Sequence, residues 1–253
     1  MRVLITGGNS RVAQAIAHDR VARGDTVVLT ASSAVSLETL RETCRHDALD
    51  ASCLLFDLRN PDAPSPGLDE ALRSAEGLVL NAATPVLARR RFHEIPAEAV
   101  SAAIDADVKG NLSLLRRALP GMVERRFGRI VFVSSVSVAM GTARYGAYCL
   151  TKSALEALMR NLAVEYGGHN VLSNTLRLGL VKTPRTESFW SRERYARAAS
   201  ALVPQGRLGD VDAIPEAVHP LLSARQYING SVVTVAGGLP LLNTLALPGS
   251  GEP

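Results

Sequence analysis

Cysteine is scarce in this chain: Cys44, Cys53 and Cys149 are an odd number at spacings that match no disulfide framework and no common zinc or redox motif. They read as packing residues in a reducing compartment. Lysine occurs only three times, so 25 of the 28 basic residues are arginine, a bias that reflects genome composition rather than a binding surface. The net charge of +4 is too small to argue for nucleic acid, though it leaves room for an acidic partner. No apolar run reaches the roughly 18 residues of a membrane span. The first strand-like run begins at Arg2, with no charged region ahead of an apolar block of roughly 7–15 residues, so no secretory signal is expected. The expectation is a soluble, cytoplasmic protein.

What is present is core. The 253 residues are 47% apolar and 21% charged, enough to bury one large domain, which excludes a disordered or fibrous chain. Short apolar runs alternate with longer amphipathic ones, the pattern of βαβ units feeding a parallel sheet with helices on both faces. Arg2–Thr6, Thr26–Thr30, Ser52–Phe56, Gly77–Asn81, Arg129–Ser134, Val171–Arg177 and Ser231–Val235 read as seven strands. Helices are expected over about 11–23, 34–48, 67–74, 97–118, 146–166 and 210–223. There is no internal repeat and no Gly/Ser/Pro-rich linker, so the prediction is one doubly wound α/β domain. Residues 60–67 hold three prolines and read as a surface loop. Residues 183–202 follow the sixth strand, where such a sheet opens its ligand crevice, and mix Phe189 and Trp190 with Arg185, Arg192, Arg194 and Arg197. A substrate lid and a solvated helix with an apolar underside are equally open readings.

The first strand runs through Thr6, Gly7, Gly8, Asn9, Ser10, Arg11 and Val12 into a helix, the context in which backbone N–H groups and a helix N-terminus receive a pyrophosphate. Gly7 and Gly8 permit close backbone approach, and Ala13 is small enough for helix-on-strand packing. Arg11 occupies the position of the usual second glycine. Its stem would crowd the phosphates, or its guanidinium would swing outward and bind one. The second strand ends without Asp or Glu to accept from a ribose 2′-hydroxyl, while Ser32, Ser33 and Arg11 suit a 2′-phosphate, which favours NADP over NAD. Asp57, after the third strand, would accept from the adenine amino group or serve as an ordinary turn residue.

Tyr148 and Lys152 stand four residues apart, one turn of helix from each other. Five tyrosines and three lysines placed at random would give about 0.06 such pairs, so chance is a poor explanation. A phenol near its ordinary pKa is a poor acid or base at neutrality. A cation about 4 Å away, at an effective dielectric near 20, would favour phenolate by about 4 kcal/mol. Ser135 ends the buried fifth strand, from where its hydroxyl would orient a substrate carbonyl beside that phenol.

Together with Leu80-Asn81-Ala82-Ala83, Asn174, Gly179, Thr183 and Gly237-Gly238, these residues give the chain a resemblance to the short-chain dehydrogenase/reductase family over nearly its whole length. The resemblance implies a seven-stranded Rossmann-type sheet, Tyr148 as general acid/base, Lys152 as its partner and a nicotinamide ribose ligand, and Ser135 on the reacting carbonyl. It also implies cofactor contacts from Leu58, Asn81, Ala82, Gly179, Val181 and Thr183, the last to the nicotinamide carboxamide. Within the family the chain is most similar to 3-oxoacyl-(acyl carrier protein) reductases and polyketide ketoreductases. The run Glu124-Arg125-Arg126-Phe127-Gly128-Arg129 falls where those enzymes dock an acidic carrier. A homo-oligomer, tetramer or dimer, is the family expectation.

Arg11 and Ala13 replace phosphate-loop glycines, Leu178 precedes Gly179 where proline is usual, and Asp107 stands where the family has an asparagine that supports a proton-relay water. An ionised aspartate cannot donate as an amide does. The leading expectation is an NADPH-dependent ketoreductase in which Tyr148 gives the proton and Asp107 with ordered water refills it. Its substrate would be a small molecule or an acyl group on a carrier protein. The alternatives are a cofactor-poor subunit partnering an active homologue in a hetero-oligomer, and a cofactor-independent acid/base enzyme.

Overall fold

The strands are short apolar runs buried on both faces, as parallel strands covered by helices must be. In the computed structural model, which describes residues 1–84 and 90–241, they are β1 (Arg2–Ile5), β2 (Thr26–Ala31), β3 (Ala51–Leu55), β4 (Gly77–Leu80), β5 (Gly128–Ser135), β6 (Val171–Leu178) and β7 (Val232–Val235). All pair in parallel, in the order β3-β2-β1-β4-β5-β6-β7. The order reverses between β1 and β4, so the carboxyl ends of these two strands flank the crevice where doubly wound sheets take ligands.

The helices are α1 (Arg11–Ala22), α2 (Ala34–His46), α3 (Leu68–Ser74), α4 (Ala97–Ile104), α5 (Gly110–Glu124), α6 (Ser137–Met140), α7 (Gly146–Tyr166), α8 (Glu193–Ala201) and α9 (Ile214–Leu222). Successive strand residues face opposite sides. Val3, Ile5, Val79 and Val131 pack on Ile16 of α1, Leu40 of α2 and Val218 of α9, whereas Leu4, Leu78, Ile130 and Phe132 pack on Leu72 of α3, Leu114 of α5 and Met159 of α7. No described helix is long and apolar enough to cross a membrane.

The helix expected over 97–118 instead runs from Ala97 to Glu124 with a widened π turn, Asp105–Lys109, between α4 and α5. The Gly110 N–H reaches back to the carbonyls of Asp105 and Ala106 across that turn. Gly110 is pressed on a neighbouring segment: a Cβ there would lie 2.5 Å from the Leu58 carbonyl oxygen. The segment 183–202 is a 3-10 turn, Pro184–Phe189, followed by α8. Phe189 and Trp190 pack beside Ala199, Val203, Leu208 and Leu239 in a small separate cluster, so the apolar underside exists.

The arginines of the expected basic docking surface each bond backbone carbonyls, and one of the three is buried. Arg125 donates to the carbonyls of Arg73 and Ala75, both at 2.7 Å, and Arg126 to Gly168 at 3.0 Å. Arg129 is fully buried, bonded to the carbonyls of Gly128, Asn170, Ser223 and Ala224, with its guanidinium 4.3 Å from the Phe127 ring centroid. The charge pattern was visible in the sequence; its use as a cage of carbonyl acceptors was not.

Candidate active site

At the carboxyl end of β1, Gly7 takes φ +70°, and an added Cβ would meet the Ala82 Cα at 3.1 Å. Only glycine combines that backbone angle with so close an approach. Thr6 lies buried beneath: its hydroxyl accepts from the N–H groups of Asn81 at 3.0 Å and Ala82 at 2.9 Å. The Asn81 amide donates back to the Thr6 carbonyl at 2.9 Å and to the Ser10 hydroxyl at 3.0 Å. These bonds lock the β1 turn to the end of β4, the strand-stabilising role expected of Asn81. Gly8 donates its N–H to the Thr30 carbonyl, and Ser10 caps α1 by accepting from Ala13. Among the described residues, the N–H groups of Arg11 and Val12 have no partner, so the first turn of α1 offers donors to an anion.

The Arg11 side chain is exposed, and Val12 is buried against the sheet. The Asp47 carboxyl, just past the end of α2, is held below its ordinary value chiefly by the hydrogen bond with His46, with smaller help from the charges of His18 and Arg11. The exposed guanidinium lies where its charge reaches Asp47, past the end of α2. At β2, Ser32 is exposed and Ser33 forms a capping box with Ser36 at the start of α2, so part of the Ser33 hydrogen-bonding capacity is committed to the helix. Asp57 accepts from the backbone and side chain of Arg59, both at 3.1 Å, and behaves here as a turn residue. Leu58 is buried against Gly110. Beyond β6, Gly179 donates to the Val235 carbonyl, Val181 is buried, and Thr183 caps the 3-10 turn through a reciprocal pair of bonds with Thr186.

Across the crevice, β5 and α7 bring the three catalytic candidates together. Ser135 ends β5, its oxygen accepts from Ser137 N–H at 3.2 Å, and its hydroxyl lies near enough to the Tyr148 phenol to act on its ionisation. Tyr145 packs edge-on to Tyr148, ring centroids 6.1 Å apart. Lys152 is buried and donates to the Val133 carbonyl at 2.8 Å.

Burial pushes the Tyr148 phenol above its ordinary value; the Arg185 guanidinium and the Ser135 hydroxyl pull it down without prevailing, and Cys149 and Asp107 add to the rise. Burial brings the Lys152 ammonium down to about 8, opposed by Asp107 and Glu156 and helped by Arg185. The expected depression of the phenol is thus corrected: desolvation wins, and the foremost cation acting on Tyr148 is Arg185.

Asp107 lies buried on the π turn. Its Oδ1 accepts from Thr84 N–H at 2.7 Å and its Oδ2 from the Thr151 hydroxyl at 3.2 Å, so the carboxylate ties the loop after β4 to α7. The neighbouring Asn111 amide donates to the Asp107 carbonyl at 2.6 Å. Sequence reading missed Glu156, one turn beyond Lys152. Burial opposes its ionisation, but bonds from Arg177 and Ser134 hold its carboxyl below the ordinary value. A buried Glu four residues from the lysine was a readable signal; its partners on β5 and β6 were not.

A family model described as Enoyl-(Acyl carrier protein) reductase matches residues 8–240. The chain belongs to the short-chain dehydrogenase/reductase family. It is an oxidoreductase of the group acting on carbonyl and alcohol functions. L-xylulose reductase of Bos taurus is 29% identical over 94% of this chain and 95% of its own. The 3-oxoacyl-[acyl-carrier-protein] reductase FabG of Pseudomonas aeruginosa is 27% identical over 93% and 96%. In fold, the chain is similar to a gluconate 5-dehydrogenase from Burkholderia cenocepacia in complex with NADP and tartrate, with TM-score 0.84, 21% identity and coverage of 96% of each chain.

Proposed function

We propose that this reductase is NADPH-dependent and converts a ketone to an alcohol, with Ser135, Tyr148 and Lys152 as its catalytic residues. The observation that carries the reading is the convergence of Ser135, at the end of β5, with Tyr148 and the buried Lys152 of α7 beside the crevice of the parallel sheet. The crevice suits a dinucleotide: Gly7 closes the turn tightly, α1 presents open N–H groups, and the Arg11 side chain is exposed. Thr6, Gly7, Gly8, Ser10 and Val12 would hold the pyrophosphate side, Ser32 and Ser33 a 2′-phosphate, and Asn81, Ala82, Gly179, Val181 and Thr183 the nicotinamide half. When bound, NADPH supplies the hydride.

The residues of the chain do the rest. Ser135 orients the carbonyl oxygen, and the Tyr148 phenol donates to it, so that both hydroxyls stabilise the charge that develops there. A phenol held above its ordinary pKa by burial is fully protonated at neutrality, the form a proton donor needs. Lys152 stabilises the phenolate left behind. Asp107, with both oxygens bonded within the fold, positions Thr84 and Thr151 rather than exchanging protons itself.

The FabG relative speaks for a carrier-bound 3-oxoacyl substrate, and the L-xylulose reductase for a free keto compound; in the basic run 124–129 Arg125 and Arg126 stay exposed while Arg129 is buried. Assembly as a homodimer or homotetramer in the cytoplasm belongs to the same reading. The deciding experiment is a titration of the purified protein with NADPH and NADH, followed by nicotinamide fluorescence. Micromolar NADPH binding with much weaker NADH binding is expected, and binding of neither would overturn the reading.

A further inference from the structure

The arginines after β6 differ in what they contact. Arg197 pairs with Glu193 at 2.7 Å, Arg207 lies 3.6 Å from Asp210, and the Arg192 guanidinium is 5.9 Å from the Tyr195 ring centroid. Arg192, Arg194 and Arg225 are exposed, and what sets Arg185 apart is its contact rather than the lack of a carboxylate. Arg185 has no carboxylate partner among the described residues, although it is exposed. Its guanidinium turns inward and donates to the Thr84 carbonyl at 2.8 Å, across the mouth between the loop after β4 and the 3-10 turn. The N–H of the same Thr84 is held by buried Asp107, whose other oxygen is bonded to Thr151, the residue before Lys152. Thr84 is therefore clamped between the Asp107 carboxylate and the Arg185 guanidinium, and the clamp holds the cation at that mouth. Both Tyr148 and Lys152 feel its charge. Asp107 forms no ion pair with Arg185 among the described residues; its oxygens accept from Thr84 and Thr151.

Resting on the reductase reading above, we infer that Arg185 is a specificity-determining residue that receives a carboxylate of the substrate, so that the preferred substrate is a free oxo acid whose anion lies a few atoms from the reacting carbonyl. A guanidinium offers five N–H donors in a planar fork, and the bond to Thr84 uses one of them. The remainder match the two oxygens of a carboxylate. With the ketone oxygen between Ser135 and Tyr148, a carboxylate on Arg185 would fix the molecule at two points and select which face of the carbonyl is presented. A neutral keto sugar or a thioester leaves the guanidinium without its counter-ion.

The test uses the enzyme loaded with NADP+ or NADPH. Malonate, a dicarboxylate with no ketone, is titrated calorimetrically into wild type, Arg185→Lys and Arg185→Met. NADPH oxidation is then followed with pyruvate against methyl pyruvate and acetoacetate against methyl acetoacetate. Wild type should bind malonate and favour acid over ester in kcat/KM by about tenfold or more, as expected for loss of a charge-assisted bidentate contact. In Arg185→Met malonate binding should be lost and the acid-to-ester ratio should collapse to about one, with Arg185→Lys in between. Absence of malonate binding to wild type, or an unchanged ratio in Arg185→Met, would overturn the inference. So would weakened NADPH binding with the ratio preserved, since the guanidinium would then serve the cofactor phosphates. If malonate binds through Arg185 while no ketone is reduced, the anion site stands and the reductase reading is the one that fails.

Discussion

The Lys152 ammonium donates to the Val133 carbonyl at 2.8 Å, fully enclosed, two residues along β5 from Ser135. A charge in that place stabilises a phenolate and destabilises the fold. Its pKa falls from 10.5 to about 8 by burial, so between these pH values the unfolded chain holds a proton that the native protein has released, and stability rises with pH across that window. Below about pH 8 both states are protonated and the full cost is present, about 3 kcal/mol. Lys152→Met removes the charge while leaving the Val133 carbonyl without its donor, which costs about 1 kcal/mol or more. The variant is expected to melt at a higher temperature than wild type at pH 7, to lose that advantage by pH 10, and to be inactive. Calorimetry at the two pH values checks the sign.

Tyr148→Phe removes the proton donor and keeps the ring against Tyr145. Reduction is expected to fall by at least about 10³-fold, while NADPH affinity is retained. Turnover within tenfold of wild type, measured by NADPH oxidation, would exclude Tyr148 as the acid.

Arg11 is exposed at the start of α1, and its charge reaches Asp47 past the end of α2. A guanidinium bonded to a phosphate would contribute about 1.5–3 kcal/mol, or more than tenfold in affinity. Arg11→Gly is expected to change the NADPH Kd by less than about threefold. A larger loss, by fluorescence titration, would place the guanidinium on the cofactor after all.

Sequence periodicity located all seven strands within a residue or two, because a strand buried on both faces has to be a short, nearly continuous apolar run. The Tyr148/Lys152 pair was legible for a local reason, since helical spacing alone puts both on one face. What escaped were relations across elements. The run 124–129 looked like a docking surface because charge shows in a sequence and the carbonyls that consume it do not. The 97–118 helix looked continuous because its π turn answers to Leu58, more than 40 positions upstream. The expected lowering of the phenol counted a nearby cation and could not count desolvation, which depends on what α7 packs against.

The contact at Gly110 gives a stability prediction. A Cβ there would lie 2.5 Å from the Leu58 carbonyl oxygen and 2.9 Å from its Cα, both backbone atoms that cannot rotate away. Gly110→Ala should destabilise by about 1–3 kcal/mol despite its better helix propensity, by urea unfolding. A stabilised variant would mean that α5 slides freely past the loop after β3.

Glu156 joins stability to chemistry. Its carboxylate, 3% exposed, accepts from Ser134 at 2.6 Å and from two Arg177 nitrogens at 2.8 and 2.5 Å, and its charge also raises the Lys152 pKa. Glu156→Gln keeps the shape, leaves Arg177 without a counter-ion, and should cost about 3 kcal/mol, as breaking one partner of a buried pair does. The depressed carboxyl means that wild type loses this contribution as pH falls through the folded pKa of Glu156, whereas the variant lacks it at every pH. Its second effect is on the rate. With Glu156 neutral, less holds the proton on Lys152, so the alkaline fall in reductive kcat should begin at lower pH than in wild type. A kcat–pH profile of the folded variant reads this separately from stability. A limb that stays in place would show that Lys152 is not the group whose deprotonation ends reduction.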